Sequence, residues 1–186
     1  MNKRWIVAAV VVVVLVVAGV WFVRRGGSAP AVIDLVETFG SASKAPAGAG
    51  PDVFTVKDET IAGDTRRAIL SRAPSRITWT VTLPNDAWLR AAIAIDESAW
   101  DKDGDGVQFR IGVSDGNRYD PLLTQHLDPH ASRSDRRWVP VLLDLSAYGG
   151  RTVSIIFNTD ASLPFKPFDN RNDLSYWGAP AIVLRP

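Results

Sequence analysis

From Trp5 to Val23 the chain runs nineteen residues without a charge, mostly valine and alanine, and this stretch sets where the rest of the molecule can reside. At about 1.5 Å per residue a helix of that length covers about 28 Å, close to a hydrocarbon core of about 30 Å. Valine is a mediocre helix former in water because its branched Cβ restricts χ1. In lipid, unpaired backbone amides find no partner, so a helix is imposed regardless. Trp5 and Trp21 stand at interfacial positions, flanked by Lys3–Arg4 on one side and Arg24–Arg25 on the other. A cleaved signal peptide competes with a retained anchor, since Ala29-Pro30-Ala31 resembles a cleavage site. The apolar run exceeds the usual h-region of about 7 to 15 residues, and two arginines precede that site, which favours the anchor. Flanking charge differs by one between the two sides. The short N-terminal tail before a folded domain is the layout of a signal anchor, so residues 26–186 are expected outside the cytoplasm, at the cell membrane.

The expected organisation is therefore an anchor over 1–25, a spacer over 26–51 and one domain over 52–186. About 160 residues beyond the anchor suffice for one core and not for two comfortable ones. All twenty acidic residues follow Arg25, against seventeen of the twenty-one basic ones, so that part carries about −3. This mild acidity argues against nucleic acid, whose binding rests on phosphate neutralisation. No cysteine is present, which removes disulfides, thiolate catalysis and cysteine-based zinc sites together. An exported domain without disulfides holds itself by burial alone, as is common among bacterial exported domains.

Within the spacer, Val32, Leu35, Val36 and Phe39 follow helical spacing, although so short a segment fits a strand nearly as well. Residues 40–51 are a Gly/Ala/Pro/Ser stretch without core-forming content. Beyond Val53 the period is two. Ile77, Trp79, Val81 and Leu83 alternate with three threonines; Leu89–Ile95, Val107–Val113, Val139–Leu145, Val153–Phe157 and Ile182–Leu184 repeat the pattern. Pro140 points to an edge or a bulge in its strand. Seven or eight short strands between Gly/Pro/Asn/Asp turns, with no long amphipathic helix, predict an all-β antiparallel sandwich, preceded by the transmembrane helix.

Several landmarks carry a family resemblance. They are Trp79-Thr80-Val81 with Leu83-Pro84, Trp100 leading into Gly104-Asp105-Gly106-Val107-Gln108-Phe109, Trp138-Val139-Pro140-Val141 running into Asp144-Leu145-Ser146, and Asp173 with Tyr176-Trp177-Gly178-Ala179-Pro180. Their order resembles the galactose-binding-like jelly rolls of bacterial carbohydrate-binding modules, over about residues 52–186. The resemblance implies a jelly roll and a glycan ligand, although many such domains are spacers or docking pieces.

Asp101, Asp103 and Asp105 place carboxylates at alternate positions before Gly106, like the start of an EF-hand loop. Gly112 stands where a bidentate glutamate belongs, and a strand begins at Val107, so an EF-hand is rejected. A structural calcium ion on these three aspartates is the one cofactor the sequence suggests, against a plain solvated turn. His126 and His130 flank Pro129 and are expected in a loop. No G-x-S-x-G elbow occurs, and no residue set announces an enzyme.

Aromatic rings are the usual sugar platforms. Trp79 shares a face with Ile77 and Val81 and is expected in the core. Trp100, Tyr119 and Trp177 are the platform candidates, with Arg110 and Asn172 as hydrogen-bonding partners; the ordinary alternatives are a solvent-facing strand residue for Arg110 and a plug at the sandwich end for Trp177. The expected function is a membrane-anchored binding module, with cell-envelope carbohydrate as its partner. A docking subunit that packs on another membrane or envelope protein is the alternative.

Overall fold

A computed structural model describes residues 31–46, 53–161 and 168–185. The expected membrane span at 5–23 lies outside these residues, and no helix among the described residues is long and apolar enough to cross a membrane. Among the described residues there are eleven strands: β1 (Ala31–Asp34), β2 (Ser43–Pro46), β3 (Phe54–Ile61), β4 (Asp64–Ser71), β5 (Ser75–Thr82), β6 (Ala87–Ile95), β7 (Val107–Ser114), β8 (Tyr119–Leu127), β9 (Val139–Asp144), β10 (Thr152–Asp160) and β11 (Ser175–Leu184). The first sheet has the order β3-β4-β11-β6-β9, with β1 also paired to β11. The second has the order β2-β5-β10-β7-β8. Every pairing is antiparallel.

Alternation along the strands builds the core. Ile77 and Trp79 of β5, Phe109 and Ile111 of β7, and Ile155 and Phe157 of β10 meet Leu89 and Ile93 of β6 and Trp177 and Ile182 of β11 in one buried cluster. Trp177 sits at its centre, with ring centroids 4.5 Å from Phe157 and 5.0 Å from Phe109. Such edge and tilted contacts suit the ring quadrupoles. Pro140 lies on β9, an edge strand, where its missing N–H leaves no ladder partner wanting.

The first sheet is covered on its outer face as well. Ile61, Ala68, Leu70, Ala92, Ala94, Trp138 and Tyr176 form a second buried cluster there. The Trp138 ring lies on Gly178 so closely that a Cβ at that position would stand 2.7 Å from Cζ3. Its indole N–H donates to the Asp64 carbonyl at 2.9 Å, and the Tyr176 hydroxyl donates to the Asp96 carboxylate at 2.9 Å, so both polar atoms of these rings are satisfied.

The spacer expectation needs correcting. Residues 31–46 belong to the sandwich: β1 extends β11 at its outer end, and β2 forms an edge of the second sheet. Between them the Asp34 carboxylate accepts from the Val36 and Glu37 amides, a short 3-10 turn runs over Glu37–Ser41, and Leu35 and Val36 are buried. The helical spacing of Val32, Leu35, Val36 and Phe39 thus reflects a strand followed by a tight turn. His126 is corrected too. It lies on β8, where its Nε2 is 2.8 Å from the Asp105 carbonyl oxygen.

Candidate functional site

The outer face of the second sheet carries a different set of side chains from the first. Because side chains alternate, Arg76, Thr78, Thr80 and Thr82 of β5 point away from Ile77 and Trp79. The registers align these positions across the sheet: Arg76 beside Asn158 beside Arg110, Thr78 beside Ile156 beside Gly112, and Thr80 beside Ser154 beside Ser114. Tyr119 pairs with Ser114 from β8. The result is a face of hydroxyls, amides and two guanidiniums around Ile156.

One aromatic ring lies on it. Gly112 has no side chain, and a Cβ there would stand 2.4 Å from Tyr119 Cε2, Cζ and the hydroxyl oxygen. The tyrosine therefore lies across the strand backbone with one side on Gly112, and it remains 45% exposed. Beside it opens a depression of about 330 Å³ lined by Arg76, Arg110, Ser114, Tyr119, Ile156 and Asn158. That volume is within the range of about 300–1,000 Å³ of small-ligand sites. Asn158 is buried, and its Oδ1 accepts from Arg76 Nε at 2.7 Å, so the amide orientation is fixed. Arg110 pairs through Nη2 with the Asp160 carboxylate. The arrangement offers a flat apolar surface beside convergent donors and acceptors.

The structure brings together only two of the expected ligand residues, Tyr119 and Arg110. Trp100 is half-buried: its indole N–H donates to the Ile95 carbonyl at 3.0 Å, and the Arg136 guanidinium covers its ring. Trp177 is fully buried in the core and so is not a platform. Asn172 belongs to the loop end, where its Nδ2 donates to the Asp103 carbonyl at 2.8 Å. Arg76 and Asn158 escaped the sequence reading, although Arg76 shares the parity of Thr78, Thr80 and Thr82.

The three aspartates expected at a common metal centre do not converge. Among the described residues no group of three or more His, Cys, Asp or Glu side chains could hold a metal ion. Asp101 pairs with Arg136 at 2.8 Å, and Asp103 is exposed. Of the three, Asp105 alone has a carboxylate oxygen buried without a partner; Gly104, Gly106, Asn172 and Asp173 help to line a small pocket of about 20 Å³ at this end of the sandwich. Asp105 Oδ1 and Asp173 Oδ2 are both buried without a hydrogen-bond partner. Burial, and then the nearby charges of Asp105 and Asp169, push the Asp173 carboxyl up to about 8. Two carboxylate oxygens, one of Asp105 and one of Asp173, are thus left without a partner, whereas Asp101, Asp103 and Asp105 offer no common centre.

No protein-family model matches the chain. Among solved structures it superposes on the CBM51-2 and INT domains of Clostridium perfringens ZmpB with a TM-score of 0.55 and 13% identity, covering 76% of this chain and 29% of that one. The chain thus shares its β-sandwich fold with carbohydrate-binding modules. A second neighbour is the CBM51 of Clostridium perfringens GH95, solved in complex with methyl-galactose, at TM-score 0.53 and 13% identity, over 81% of this chain and 99% of that one. A further ZmpB structure, with GlcNAc bound to CBM51-2, gives 0.52 at 17% identity, over 82% of this chain and 31% of that one. In sequence, an uncharacterized protein of Archaeoglobus fulgidus is 37% identical over 103 residues, which are 55% of this chain. The chain spans about a quarter of the length of that relative.

Proposed function

We propose that this domain is a non-catalytic carbohydrate-binding module that holds a glycan on the open face of its second sheet. The observation that carries the reading is the exposed Tyr119 ring lying on Gly112 beside Arg76, Arg110 and Asn158 in one depression. A pyranose would stack its apolar face on the ring while its hydroxyls donate to Asp160 and accept from the guanidiniums and Ser114. The fold supports this, since modules of the same architecture have been solved with methyl-galactose and with GlcNAc.

Two further parts of the reading rest on sequence and on the loop pocket. Residues 5–23 anchor the module in the cell membrane with the sandwich outside the cytoplasm, which makes envelope glycans its nearest ligands. A calcium ion at Asp105 and Asp173 stiffens the loop end, remote from the tyrosine. The test is a glycan array probed with the detergent-solubilised full chain, with and without calcium. Saturable binding that Tyr119→Ala abolishes supports the proposal. Failure to bind any glycan under either condition overturns it.

A further inference from the structure

The open face has more positive than negative charge, and this bears on the chemistry of its ligand. Arg76 and Arg110 stand on either side of Asn158 in one row, two strand spacings apart, or about 10 Å between their backbones. That distance is within reach of two arginine side chains converging over the amide between them. One carboxylate, Asp160, serves the pair, and it is bound to Arg110. Among the described residues no carboxylate pairs with Arg76, whose Nε is engaged only by a neutral amide oxygen. Arg110 is incompletely satisfied as well: its Nε is buried and makes no hydrogen bond. An unpaired buried donor is costly, so an acceptor that re-aims this guanidinium is favoured.

The tyrosine ring reaches Gly112, one outward row from the arginine row, which is about 7 Å along the strand. A pyranose stacked on Tyr119 can therefore set an exocyclic carboxylate against a guanidinium. Guanidinium and carboxylate match as a planar two-pronged pair, stronger than either makes with a hydroxyl. We infer that the glycan bound on this face is acidic, with a sugar carboxylate held by Arg76 and Arg110 while its ring rests on Tyr119. The inference rests on the proposed carbohydrate-binding function and names its substrate class.

The test titrates the full chain, in detergent and with EDTA to exclude bridging through calcium, against matched sugars. The pairs are tetragalacturonate with its methyl ester, and sialyllactose with lactose. The acidic member of at least one pair should bind at least about tenfold more tightly than its neutral partner, the difference charge-assisted pairing commonly makes. In Arg76→Gln and Arg110→Gln that preference should shrink to about threefold or less, because the acidic sugar loses more affinity than its neutral partner. Neutral sugars binding as well as acidic ones would overturn the acid assignment and leave the carbohydrate reading standing. An acid preference that survives both substitutions would overturn the role of these two arginines. No binding of any sugar, acidic or neutral, would overturn both readings together.

Discussion

Each sheet of the sandwich has a glycine on its outer face with an aromatic ring laid across it, and the two rings meet opposite fates. On the first sheet Trp138 covers Gly178, is 6% exposed, and spends its indole N–H on the Asp64 carbonyl. Around it Ile61, Ala92, Ala94 and Tyr176 complete a plug. On the second sheet Tyr119 covers Gly112 and is left 45% exposed among threonines, serines and arginines. The same local device, a ring resting on bare backbone, closes one face and furnishes the other. What separates them is the surroundings: Ala92, Ala94, Ile61 and Tyr176 pack around Trp138 with the Arg66 guanidinium over its ring, whereas Tyr119 borders an open depression lined by Arg76 and Arg110.

The largest expected difference follows from truncating the rings. Trp138→Ala should lower unfolding free energy by about 3–5 kcal/mol, the usual loss for a buried tryptophan, whereas Tyr119→Ala should stay within about 1 kcal/mol of the parent. Denaturant unfolding of both variants measures this, and equal losses would dissolve the contrast. Filling the glycines sharpens it. Gly178→Ala drives a Cβ to 2.7 Å from an enclosed ring, which should cost about 1–3 kcal/mol by overpacking. Gly112→Ala meets the free end of an exposed side chain, so Tyr119 can swing aside. Its thermal midpoint should hardly move, and its glycan affinity should drop by about tenfold or more, as loss of a stacked aromatic contact would give.

The loop-end pocket supplies a smaller, pH-dependent contrast. With its carboxyl raised to about 8, Asp173 in the folded chain keeps a proton that the unfolded chain releases from about pH 4 upward. Stability without calcium should therefore decline as pH rises from about 4 to about 8 and level off beyond. Asp173→Asn should flatten that curve, and calcium should lift the upper part of it in the parent only. Glycan affinity should not track the same curve, because Asp173 does not line the open face. Thermal melts and titrations across that pH range would show whether the two sites are separate.

How much of this was legible in the sequence depended on whether each strand has one wet face. On β5, β7 and β10 apolar and polar residues alternate, so Ile77, Trp79, Phe109 and Phe157 were readable as core and Arg110 as outward. Strand β11 lies between neighbours on both sides and is buried on both faces, so Tyr176 and Trp177 gave no alternation to decide which faced inward. The edge strands β2, β3 and β8 carry polar or low-complexity sequence without a sustained apolar alternation, and none was visible as a strand. For the site, Tyr119 and Arg110 were legible singly. That a bulge beside Gly112 lets the tyrosine fold over the strand is a matter of register, which parity alone does not contain.

The central claim is that ligand sits on the open face rather than at the loop end, and amide hydrogen exchange of the full chain with a bound glycan tests it most directly. The account predicts slowed exchange over residues 108–121 and 154–158, with no change over 101–106 and 169–173. Protection confined to 101–106 and 169–173, with the strands around Gly112 unaffected, would contradict it.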